Sequence, residues 1–104
     1  MKGNRIGREN TLKAIYQVLE AADFKSDGVK TAELAKHRQG TLADTLGDVR
    51  RIARYNLVDF DEMRDLTRLT NEGWRQARVI VRNHRLWELY LATRANYQLD
   101  HVHD

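Results

Sequence analysis

A chain of 104 residues, 41% of them hydrophobic, has room for one domain with a modest core. It contains no cysteine, which excludes disulfides and thiolate metal sites and leaves only nitrogen and oxygen donors for any bound metal. Eighteen Lys and Arg against 15 Asp and Glu leave a net charge of +3, a mild excess compatible with DNA or anionic lipid but not diagnostic of either. No apolar run reaches transmembrane length, and the start Met1-Lys2-Gly3-Asn4-Arg5 lacks the apolar stretch of a signal peptide, so a cytoplasmic location is expected.

Residues 1–8 are polar and basic and are expected to form a flexible lead-in, with the domain proper over residues 9–104. From Glu9 onward, Leu12, Ile15, Tyr16, Val18 and Leu19 recur at helical spacing, which predicts a first helix ending near Ala21 to Asp23. The turn-rich Lys25-Ser26-Asp27-Gly28 follows. A short second helix is expected after Thr31 as N-cap. Beyond the Arg38-Gln39-Gly40 break, Thr41-Leu42-Ala43-Asp44 reads as a capping box opening a third helix, with Leu42, Leu46, Val49, Ile52 and Ala53 inward. Short helix, turn and longer helix make a helix-turn-helix pattern. Leu57 to Phe60 and Leu66 to Leu69 alternate in character across a charged stretch, as a small β-hairpin wing would. Thr70 then caps a long helix, expected over about 70–96. The fold class is therefore mainly α with a β-hairpin: a winged helix-turn-helix followed by a long helix.

On that long helix, His84 and Glu88 stand four residues apart and share one face, with His103 further on. Two readings of such a spacing stand side by side: a solvated hydrogen-bonded pair, and part of an N/O-donor site for a transition metal. The aromatics Tyr16, Trp74, Trp87 and Tyr90 sit among aliphatics and read as packing or interface residues. His37 is assigned no role, and His101 is a reserve ligand only. A Gly-rich phosphate loop, an H-E-x-x-H motif and a nucleophile beside a histidine are all missing, so the chain reads as a non-enzyme without a small-molecule substrate.

The wording Val81-Arg82-Asn83-His84-Arg85-Leu86-Trp87-Glu88-Leu89-Tyr90-Leu91, then Leu99-Asp100-His101-Val102-His103-Asp104, resembles the DNA-binding domain and following helix of the diphtheria toxin repressor family. These are iron- and manganese-responsive winged-helix regulators, and the resemblance extends over nearly the whole chain. It implies that His84, Glu88 and His103 form an ancillary metal site for a divalent Mn, Fe or Zn ion, with Arg85 beside a bound anion. The same resemblance implies a homodimer in the intact protein. Where the family's first helix supplies Met or Asp and, in manganese regulators, Glu, this sequence has Asn10 and Lys13. A lysine ammonium repels a cation, and the family's other ligands lie on a helix beyond the position of His103, so the site in these residues is expected to be weak or incomplete.

The resemblance also maps a DNA-facing surface onto the third helix and its start: Thr41, Asp44, Gly47 and Asp48, with Arg50, Arg51 and Arg54 on later turns. Gly47 stands where family members carry glutamine. The two aspartates are expected to oppose phosphate, leaving weak DNA binding driven by the arginines. Arg82 to Leu91 is most similar to the repressor-like domains fused to the cytoplasmic C-terminus of manganese, zinc or iron ABC transporter permeases, and the basic Lys2 to Arg8 would suit a linker from the membrane. The expectation is a cytoplasmic regulatory domain of transition-metal homeostasis, attached to a transporter. The alternative is a metal-dependent transcriptional repressor truncated before its dimerisation helices.

Overall fold

The computed structural model describes the backbone of residues 2–102 and the side chains of residues 5–96. Four helices and three short strands follow in the order α1 (Lys2–Ala21), β1 (Val29–Lys30), α2 (Thr31–Arg38), α3 (Leu42–Arg54), β2 (Val58–Asp61), β3 (Leu66–Leu69) and α4 (Asn71–Val102). The expected winged helix-turn-helix and long helix are present. The wing differs by one strand. β1 joins it antiparallel to β3, giving the sheet order β1-β3-β2 with Val29 opposite Thr67 and Val58 opposite Leu69. A two-residue strand is too short to show the alternation by which strands are read from sequence.

α1 begins at Lys2, ahead of the start near Glu9 that the apolar period gives. Other contacts sustain the early turns: Arg5 pairs with Glu9 at 3.1 Å, Thr11 Oγ1 donates to the Gly7 carbonyl at 2.8 Å, and the Arg8 guanidinium lies 4.7 Å from the centre of the Tyr55 ring. At its other end, Asp23 and Phe24 both turn left-handed, with the Phe24 N–H donating to the Leu19 carbonyl at 2.8 Å. Phe24 is held there by edge-on contact with Tyr16 at 5.4 Å and a tilted contact with Trp74 at 5.9 Å.

The core joins Leu12, Ile15 and Leu19 of α1 to Val29, Leu34, Val49, Ile52, Leu57, Val58 and Ala77. Burying each large aliphatic side chain contributes about 1.5–3 kcal/mol relative to exposure. On α3 the buried stripe is Thr45, Val49 and Ile52, while Leu42, expected inside, is 58% exposed because it lies one turn ahead of that stripe.

Two caps match their sequence signals and one does not. Thr41 Oγ1 accepts from the Asp44 N–H at 3.1 Å, and Thr70 Oγ1 accepts from the Gly73 N–H at 3.0 Å. Thr31, expected to cap α2, is its first helical residue instead. Its N–H donates to Asp65 Oδ2 at 3.3 Å and its hydroxyl donates to Asp65 Oδ1, so the turn of the wing caps α2 from 34 residues away.

α4 continues to Val102, beyond the end expected near residue 96. Its first third is seated on the body, with Ala77 and Val81 buried and Trp74 and Ile80 half-buried. Gly73 allows that seat: a Cβ there would fall 1.9 Å from the Leu57 carbonyl oxygen. From Arg82 to Asn96 every residue is exposed. No helix among the described residues is long and apolar enough to cross a membrane.

Candidate functional site

The exposed part of α4 places His84 and Glu88 as their spacing requires, with His84 Nε2 2.8 Å from Glu88 Oε1. An imidazole nitrogen and a carboxylate oxygen are donors that suit a divalent transition metal. They are also, as they stand, a solvated hydrogen-bonded pair. The third expected ligand, His103, lies outside the described residues, and the described residues contain no group of three or more His, Cys, Asp or Glu able to hold a metal ion. The donor types therefore fit and the described donor number is short.

Arg85 is engaged elsewhere than expected. Its Nη2 donates to Glu20 Oε1, which ties the first free turns of α4 back to α1; an anion beside Arg85 would have to displace that carboxylate. Asn10 and Lys13 border a polar pocket with Gln17, His37 and Arg38, where His37 Nε2 lies 2.9 Å from Gln17 Oε1. His37 is exposed.

Next to the His84–Glu88 pair, α4 presents Leu86, Trp87, Leu89, Tyr90 and Leu91, each between 50% and 65% exposed. Trp87 and Tyr90 meet edge to face at 5.5 Å and line a shallow groove with Asn83 and Leu86. Five large apolar side chains within six positions make a surface of the kind that partners cover.

The α3 face is arranged differently from the expectation of two outward aspartates. Thr41, Asp44 and Gly47 are exposed, although the Thr41 hydroxyl oxygen is committed to its cap. Asp48 is not turned to solvent. Its carboxylate lies between Arg38 Nη2 at 2.7 Å and Arg51 Nη1 at 2.9 Å, and its side chain is only 20% exposed. The last turn of α2 presents Arg38 to it, so its charge is already balanced. Arg50 reaches the wing, where its Nε donates to Glu62 Oε1 at 2.9 Å. Arg54 is exposed and has no charged partner among the described residues. Arg38 and Glu62 drew no attention in the sequence, because a pairing across ten or twelve residues leaves no periodic signal.

Residues 70–104 match the family model for the iron dependent repressor, metal binding and dimerisation domain. The match covers about a third of the chain, begins at the cap of α4 and includes His84, Glu88 and His103. It supports the repressor family for that third. No curated protein and no solved structure matches the chain.

Proposed function

We propose that the chain is a winged-helix regulatory module of transition-metal homeostasis, in which α4 carries both the metal ligands and the dimer contact. The observation that carries this reading is the bare stretch of α4 beyond Val81, where the His84–Glu88 pair and the apolar stripe stand together on the segment matched by the metal-binding and dimerisation model. His84 and Glu88, with His103, are the residues to hold Mn, Fe or Zn, and Lys13, standing where manganese regulators of the resembled family carry a glutamate, favours a weak site. The imidazole must be deprotonated to ligate, so affinity falls as pH is lowered. As a regulator the module is not an enzyme.

Calorimetric titration with zinc tests the ligand assignment: the native chain is expected to bind and His84→Ala to lose that binding. Equal binding by both would remove His84 from the site.

Two settings are compatible with such a module. The wording of Arg82 to Leu91 supports a domain carried at the cytoplasmic face of a metal-ion ABC transporter permease. The second setting, a DNA-binding repressor, is favoured by Asp48, whose charge is balanced by Arg38 and Arg51 and so opposes phosphate less than an outward aspartate would. The permease setting predicts duplex affinity in the non-specific range of roughly 10⁻⁴–10⁻⁶ M at physiological salt. Nanomolar, sequence-selective binding in a polarisation assay would select the repressor.

A further inference from the structure

We propose that Glu62, at the tip of the wing, is a built-in stand-in for a nucleic-acid phosphate: it occupies Arg50 until a duplex backbone displaces it. The inference rests on the reading of α3, with Arg50, as a DNA face. Both Nε and Nη2 of Arg50 donate to one carboxylate oxygen of Glu62, so the edge of the guanidinium that would grip a phosphate is already spent on an oxyanion of the same protein.

The contrast with Asp48 shows why this carboxylate and not the other is displaceable. Asp48 and Arg38 are 20% and 22% exposed, and Asp48 is held by two arginines from two helices. Pulling it away would leave a partly buried guanidinium without a counter-charge. Arg50 and Glu62 are 51% and 63% exposed, so each can exchange partners with little loss of solvation.

The wing backbone, meanwhile, is fixed. Asp61 Oδ1 accepts from the N–H groups of Met63 at 3.1 Å and Arg64 at 3.2 Å, Lys30 Nζ donates to the Arg64 carbonyl, and Asp65 is bonded to Thr31. The Glu62 side chain alone has to swing. Its effect is to damp attraction to DNA of any sequence, because Arg50 must first be released from an internal partner.

Fluorescence polarisation of the full chain with a mixed-sequence duplex, across a salt series, tests this as a double-mutant cycle. Glu62→Gln is expected to raise affinity about three- to fivefold at low salt, the most that an exposed pair can withhold. The salt dependence should keep the same logarithmic slope, because Arg50 meets the same phosphate in both complexes once Glu62 has swung aside; a slope steeper by about 0.9 would mean that the native carboxylate is never displaced and overturns the stand-in. Arg50→Ala should weaken binding, and Glu62→Gln made in that background should give no gain. A gain of equal size without Arg50 means general charge repulsion and overturns the stand-in; so does an unchanged affinity in Glu62→Gln. If no variant binds duplex even at low salt while thermal melts show all of them folded, the DNA reading itself falls and takes the inference with it.

Discussion

The two parts of α4 differ in what lies against them rather than in what they are made of. Up to Val81 the helix is seated on the body, with Ala77 fully buried and Val81 3% exposed; beyond it, Leu86, Trp87, Leu89, Tyr90 and Leu91 are as apolar and yet half or more exposed. One helix of 32 residues thus joins a stretch stabilised by tertiary packing to one that depends on helix propagation and local pairs such as His84–Glu88. The lesson is that apolar side chains in the free stretch are there for something other than this core. Order in that stretch is expected to respond to a partner or a metal, while the seated stretch should follow the stability of the body.

Unseating the helix separates the two stretches most sharply. Gly73→Ala places a Cβ 1.9 Å from the Leu57 carbonyl oxygen, a backbone atom that cannot swing away. A loss of about 3 kcal/mol or more is expected, read as a fall in thermal midpoint on the order of 12–24 °C. Gly47, also within a helix, has nothing within 4 Å of its Cβ position, so Gly47→Ala should instead stabilise by about 1 kcal/mol. Equal melting of the two variants would mean that α4 does not seat against Leu57 at Gly73.

Trp87→Ser acts on the free stretch. Trp87 is 62% exposed, so the melting of the monomer should change by no more than about 0.5 kcal/mol. Self-association measured by sedimentation should weaken by about 2 kcal/mol or more if Trp87 anchors a dimer contact. A chain whose association is untouched by this change does not pair through the stripe.

Most of the fold could be read from the sequence because periodicity and caps are local signals. Leu12, Ile15 and Leu19 mark α1, Thr41 and Thr70 mark the starts of α3 and α4, and the two alternating runs mark the hairpin. What was missed is carried by groups far apart in the chain. Asp65 caps α2 in place of Thr31, β1 exists only because β3 lies beside it, and Asp48 faces inward because Arg38 comes up from the neighbouring helix. At the candidate site the His84–Glu88 contact followed from its spacing, since four residues on a helix are neighbours. The engagement of Arg85 by Glu20 could not be read in the same way, because its partner is 65 residues away on α1.

The first turn of α4, where the seated stretch begins, carries a surface pair of its own. Hydrogen bonds from Arg75, then from Gln76, stabilise the ionised Glu72 and lower its pKa from 4.5 to about 2. The Arg75 guanidinium is raised in return by the same contact. With the folded value below the ordinary one, the contribution of Glu72 to stability is complete above about pH 4.5 and is lost as pH falls toward 2. The pair lies at the surface, so solvent and salt screen it and the change in melting should be slight. A carboxyl-carbon NMR titration reads it directly, with Glu72 expected to titrate well below an ordinary glutamate and Arg75→Ala to return it toward that range. An ordinary midpoint for Glu72 in the native chain would mean that the first turn of α4 is frayed, and that the seated stretch starts later than its cap at Thr70.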